Sequence, residues 1–145
     1  MTVRQILKSK GSNEVLTIKP EMTVAEAARI LSERRIGALI VSRDGAGLDG
    51  MLSERDIVRE LGTRGASVLN DPVADLMTAK VVTASPDDVS VQALEKMTEG
   101  RFRHLPVLEG GAMVGVISIG DVVKHRISEV VAENTALTDM IVGHG

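Results

Sequence analysis

The chain has 145 residues, a formal net charge of −3, 43% hydrophobic and 26% charged residues, and a single aromatic side chain, Phe102. This balance is that of a globular protein, and an acidic chain without aromatic platforms gives no footprint for nucleic acid. With no cysteine, disulfides, thiolate metal sites and cysteine nucleophiles are excluded. No apolar run approaches the ~18–20 residues that cross a bilayer. The start "MTVRQILKSKG" (1–11) is too polar for a signal peptide, so a cytoplasmic location is the expectation.

In chain order, "VLTI" (15–18) reads as extended and "KPEM" (19–22) as a turn. An amphipathic helix follows, with Val24, Ala27, Ala28 and Leu31 on one face. Two short apolar strands come next, "ALIV" (38–41) and "GML" (50–52), joined by the hairpin signal "SRDGAGLD" (42–49). A second helix starts at Ser53-x-x-Asp56. The stretch "GTRGASVLNDP" (62–72) reads as a linker. The same grammar then returns: an extended 81–84, the turn "SPDD", and a helix with Val91, Leu94 and Met97 as its apolar face. Strands "LPVL" (105–108) and "GVI" (115–117) flank the turn "EGGAM", and a helix opens at Ser118-x-x-Asp121.

The chain is therefore an internal repeat. Val15, Thr17 and Pro20 fall on Val81, Thr83 and Pro86. One inserted residue later, 24–41 lies over 91–108, and "GMLSERDIV" (50–58) coincides with "GVISIGDVV" (115–123). A fainter match joins "VRQILKSK" (3–10) to "VADLMTAK" (73–80). The expected division is 1–66 for the first copy and 67–145 for the second with its C-terminal helix. Each half has too little core to stand comfortably alone.

Two readings of the repeated serine and aspartate stay open. One is structural: Ser-x-x-Asp is close kin to the capping box, the serine accepting from the first helical turn and the aspartate favouring the positive helix end. The other is functional. A helix beginning straight after a buried strand offers backbone N–H groups to a phosphate, and a short carboxylate there can accept from a ribose diol. The variable pairs, Glu54–Arg55 and Ile119–Gly120, would tune each copy; Arg55 can meet a phosphate, Gly120 only through its backbone. In "GRFRH" (100–104), Arg103 and His104 are candidate phosphate contacts, against a solvated strand start with Phe102 turned inward. His104, His125 and His144 lack zinc-ligand spacing. No nucleophile–base order or paired-carboxylate motif can be assembled, so no enzyme is expected.

Taken as an ordered pair, "LTIKPEMTVAEAARILSERRIGALIV…GMLSERDIV" and "VTASPDDVSVQALEKMTEGRFRHLPVL…GVISIGDVV" resemble the cystathionine-β-synthase (CBS) domain pair, the Bateman module. The resemblance implies an α/β (α+β) fold of two tandem β-α-β-β-α repeats packed with pseudo-two-fold symmetry. It also implies clefts between the repeats for adenosine-containing ligands: AMP, ADP, ATP, NAD(H) or S-adenosylmethionine. A regulatory role, no catalytic cofactor, a homodimer and a client protein would follow. Carried onto this chain, Asp56 and Asp121 would hold ribose hydroxyls with Ser53 and Ser118. Thr17 and Thr83, with Ile18, Lys19 and Ala84, would line the pockets. Ile36, Gly37 and Ala38, and His104, Leu105 and Pro106, would meet the adenine. Arg55, and Arg103 with His104, would lie toward the phosphates, while Glu54 and Gly120 are variable positions that would tune each site. Gly37 and Leu39 stand where the second copy has His104 and Pro106, so the two sites need not share a ligand. A scaffold whose sites have decayed is the alternative.

Overall fold

The computed structural model describes residues 1–11 and 15–141. Its elements are α1 (Val3–Ser9), β1 (Thr17–Ile18), α2 (Val24–Arg34), β2 (Ala38–Val41), β3 (Gly50–Ser53), α3 (Glu54–Arg64), α4 (Ser90–Gly100), β4 (His104–Glu109), β5 (Ala112–Ser118) and α5 (Ile119–Ile141). Short 3-10 helices cover Ala66–Asn70 and Val73–Asp75. The first sheet has the order β1-β2-β3, with β1 parallel and β3 antiparallel to β2. The second pairs β4 with β5 across Gly110 and Gly111, both at positive φ, as a two-residue hairpin turn requires.

The chain folds as two compact units whose membership differs from a cut at residue 66. One gathers Met1–Asn13, Thr83–Val107 and Gly115–Gly145; the other holds Glu14–Val82 and Leu108–Val114. The second unit closes around Ile18, Val24, Ala27, Leu31, Leu39, Val41, Leu52, Ile57, Val68, Val73 and Leu76. The stretch read as a linker is thus built in: Val68 is fully buried, and Arg64 pairs with Asp71 at 2.9 Å. The first unit buries Val3, Ile6 and Leu7 from α1 with Ala93, Met97, Leu105, Ile117 and Val122. Helix α1, which the sequence matched only faintly to 73–80, is held at its start by a Thr2–Gln5 capping box.

In both units a segment distant in sequence docks by the same backbone bonds. Val3 N–H donates to Asp88 O, Arg4 N–H to Pro86 O, and Ser90 N–H to Met1 O, at 2.8–2.9 Å. In the other unit Val73 donates to Met22 O, Ala74 to Pro20 O, and Val24 to Asp71 O, at 2.7–2.9 Å. These bonds correct the alignment of the copies by one residue, because no insertion separates the turn from the helix. Val24 corresponds to Ser90, Ala27 to Ala93 and Leu31 to Met97, and the left-handed C-caps Arg35 (φ 54°) and Arg101 (φ 58°) coincide. The buried face of α4 is accordingly Ser90, Ala93 and Met97, whereas Val91 is exposed and Leu94 half-buried. Phe102 is half-buried beside Gly100 and does not join the core.

The second copy also lacks a regular first strand. Ala84 makes a single parallel bridge to Val107, with its N–H on Pro106 O. Pro106 corresponds to Ile40 and has no N–H to extend the ladder, and the Thr83 carbonyl accepts from Lys96 Nζ at 2.9 Å.

The glycine that opens each repeated motif is explained by the docked segment. A Cβ on Gly50 would lie 2.6 Å from Met77 Sδ and 2.9 Å from the Thr78 carbonyl oxygen; one on Gly115 would lie 2.7 Å from a Leu7 methyl. Leu7 and Met77 hold corresponding places in the matched segments 3–10 and 73–80. Gly50→Ala should lower stability by about 1–3 kcal/mol in urea unfolding, because backbone must yield. Gly115→Ala should cost less, since a leucine methyl can swing away.

Candidate functional site

Each repeated Ser-x-x-Asp sits where a strand runs directly into a helix. Ser53 ends β3 and caps α3: its Oγ accepts from Asp56 N–H at 3.2 Å, while Ser53 N–H donates to Asp56 Oδ2 at 3.0 Å. The Ser53 hydroxyl also donates to Asp56 Oδ2, and Arg59 Nη2 donates to Oδ1 at 2.9 Å. Both carboxylate oxygens of this buried aspartate are therefore engaged. At α5 the box recurs, with Ser118 N–H on Asp121 Oδ2 at 2.9 Å and Asp121 N–H on Ser118 Oγ at 3.1 Å. The cation here comes from elsewhere: Lys10, just past α1, donates to Asp121 Oδ2 at 2.9 Å and to the Val116 carbonyl at 2.8 Å. The capping reading of both motifs holds in the geometry.

The sheets bring several candidates to these junctions. Ala38 faces Ser53 across β2–β3, and Gly37 O accepts from Glu54 N–H at 2.9 Å. Thr17 pairs with Ile40 and is half-buried, two residues along β2 from Ala38. Ile18 is buried in the core. Lys19 lies past the other end of β1, since Ile18 pairs with Val41 and Val41 with Gly50, so the fold does not bring it to Ser53. Ile36, Glu54 and Arg55 are exposed around the start of α3.

In the other unit Arg103 O accepts from Ile119 N–H at 2.8 Å, the counterpart of the Gly37–Glu54 bond. Arg103 thus corresponds to Gly37, His104 to Ala38 and Leu105 to Leu39, which corrects the earlier pairing of Gly37 with His104 and of Leu39 with Pro106. Arg103 and Gly120 are exposed, Thr83 and His104 half-buried, and Ala84, Leu105 and Pro106 buried. Lys10 and Arg59 were missed. Arg59 had a local signal, an i,i+3 partner for Asp56; Lys10 meets Asp121 across 111 positions of sequence. Among the described residues no group of three His, Asp or Glu could hold a metal; His144 lies outside them.

Burial works to raise the Asp121 carboxyl, but hydrogen bonds from Lys10 and Ser118 and the Lys10 charge outweigh it, holding the group below the ordinary carboxylate range. A depressed acid contributes stability above its unfolded value and loses it as pH falls through the folded one. Lys10→Met should move the Asp121 titration up toward the ordinary value in carboxyl NMR; it should lower stability at neutral pH, and the difference from the wild-type protein should close as pH falls through the folded Asp121 value.

Comparison with known proteins adds the family. The CBS domain model matches residues 3–63 and 73–128. The chain is 34% identical over 135 residues to the CBS domain-containing protein CBSX3, mitochondrial, of Arabidopsis thaliana, covering 88% of this chain and 66% of that one. It spans only 19% of another Arabidopsis thaliana relative. The crystal structure of the CBS-domain containing protein ATU1752 from Agrobacterium tumefaciens superimposes with a TM-score of 0.83 at 40% identity, over 87% of this chain and 99% of that one. The CBS domain protein PAE2072 from Pyrobaculum aerophilum, complexed with AMP, gives 0.73 at 27% identity, over 83% and 89%. With a family match on both copies, and with the paired strand-to-helix junctions just described, the chain belongs to the CBS domain family as a tandem pair.

Proposed function

We propose that this chain is a non-catalytic regulatory module that binds an adenosine-containing nucleotide and relays its occupancy to a partner protein. The observation that carries this reading is the duplicated junction: a strand, a capping serine and a short acid at a helix start, in a chain 27% identical to a CBS protein solved with AMP. AMP, ADP, ATP, NAD(H) and S-adenosylmethionine are the ligands to screen. Asp121 would accept from the ribose, with Ser118 holding it in place and Thr83, His104 and Leu105 near the base. Arg103 and the Gly120 amide would face the phosphates. At the first junction Asp56, Ser53, Thr17, Gly37 and Ala38 would play the same parts, with Arg55 toward the phosphates.

A second reading, a scaffold with a decayed site, has one observation in its favour. Asp56 is buried and both its oxygens already accept hydrogen bonds, from Ser53 and from Arg59. Asp121 is only half-buried, which makes the second junction the stronger candidate for binding.

The module in this reading is a cytoplasmic homodimer. Val123, Ile127 and Val130, at four- and three-residue spacing, and Leu137 seven residues further on form an exposed aliphatic stripe on α5, the pattern a second helix covers. No helix among the described residues is long and apolar enough to cross a membrane. Sedimentation of the full chain should give twice the monomer mass, and Ile127→Glu should reduce it.

Thermal melting with each nucleotide at millimolar concentration tests the central claim. AMP or a close relative should raise the Tm, as any ligand of the native state must. Asp121→Ala should abolish that rise, beyond the ~1 kcal/mol loss expected from altering a cap. No shift with any of the five ligands would overturn the nucleotide reading in favour of the scaffold.

A further inference from the structure

The two units neutralise their capping acids by different means. Asp56 takes its cation from its own helix, through Arg59 at 2.9 Å. Asp121 takes Lys10, carried in at the end of α1 from 111 positions away and fixed by a second bond to the Val116 carbonyl. The sequence counterparts differ: the bonds to these acids come from Lys10 and Arg59, not from Lys80, matched to Lys10, nor from Lys124, which follows Asp121 by the same three residues as Arg59 follows Asp56. A second contact seats the same end of α1. The Ser9 hydroxyl sits between the Ile6 carbonyl at 2.8 Å and His125 Nε2 at 2.7 Å, joining the end of α1 to α5.

An acid beside a helix start has opposed effects on a nucleotide. It accepts from ribose hydroxyls, but its negative charge repels the phosphates that the free amides attract. A cation on the acid removes that repulsion without removing the acceptor, because a carboxylate offers about four acceptor positions. Lys10 and the Ser118 N–H both bond to Oδ2. The Lys10 side chain keeps 31% exposure, so its field still reaches an arriving anion.

We propose that Lys10 is a specificity-determining residue of the Asp121 junction, which it makes selective for phosphorylated adenosine ligands over the uncharged nucleoside. The inference rests on the nucleotide reading above and adds the class of ligand and the residue that selects it. Lys10 acts by neutralising Asp121 from α1. Occupation of this junction by a phosphorylated ligand is therefore tied to the seating of α1, whereas Arg59 ties Asp56 only to its own helix.

The test titrates adenosine and AMP into the full chain and follows the Gly120 and Asp121 amides by NMR, which read this junction locally. The wild-type protein should bind AMP more tightly than adenosine, and added salt should narrow the gap. Lys10→Met should weaken AMP about tenfold, the scale of one partly screened charge interaction over several ångströms, and leave adenosine within about twofold on the same grounds. Lys10→Arg should restore the preference, which a merely structural role for the α1 contact would not predict. An unchanged AMP-to-adenosine ratio in Lys10→Met, with adenosine and AMP both bound, overturns the role of Lys10 and leaves the nucleotide reading standing. If neither compound moves these amides in the wild-type protein, the binding role of this junction and the selection by Lys10 fail together. Melting curves of both variants confirm that the fold survives the change.

Discussion

The docking of a segment distant in sequence against the turn before a helix is the constraint on which the rest of the structure depends. Residues 1–4 hydrogen-bond to Pro86–Ser90, and residues 71–74 to Pro20–Val24, by equivalent backbone bonds. These bonds satisfy amides and carbonyls at the helix entrance that burial would otherwise leave unpaired. They set the register of α2 and α4, and so which face of each helix enters the core. The same docking presses Leu7 against Gly115 and Met77 against Gly50, so the first residue of each repeated motif has no room for a side chain. It also delivers Lys10 to Asp121.

At the strand-to-helix junctions one carboxylate serves two purposes. As the third residue of its helix, each aspartate reaches back to the serine amide and completes the cap. That bond holds the carboxylate at the end of a strand, with its orientation fixed before any ligand arrives. Pre-orientation of this kind reduces the ordering that binding must supply. It also uses acceptor capacity, and the two junctions differ in how much remains uncommitted. Asp56 is buried with donors on both oxygens, whereas the Asp121 donors described here converge on Oδ2.

Correspondence between the copies is closest in backbone and loosest in side chains. The cap boxes, the left-handed residues Arg35 and Arg101, and the carbonyl–amide bonds from Gly37 and Arg103 coincide. Around them Gly37 becomes Arg103, Ala38 becomes His104 and Ile40 becomes Pro106. The last change removes an N–H and shortens the sheet; the others place cationic or titratable side chains at one junction alone. A duplicated frame has thus been given two electrostatic settings.

Much of this was legible in the sequence. Short apolar runs located β2, β3, β4 and β5, and Ser-x-x-Asp marked the starts of α3 and α5, because burial and local hydrogen bonds carry those signals. The duplicated motif pointed to the family. What the sequence left to the tertiary structure is long-range: α1, the buried Val68 in an apparent linker, the one-residue shift of α4, and the cation on Asp121. A helix offering several apolar residues on adjacent faces can be shifted by one position without breaking its pattern, and only the docked segment selects the register. A lysine 111 residues from its acid carries no mark of that pairing. Local chemistry determined the junctions and the Arg59 partner of Asp56; which charge meets Asp121 was decided by packing, because it depends on which segment the folded chain lays beside it.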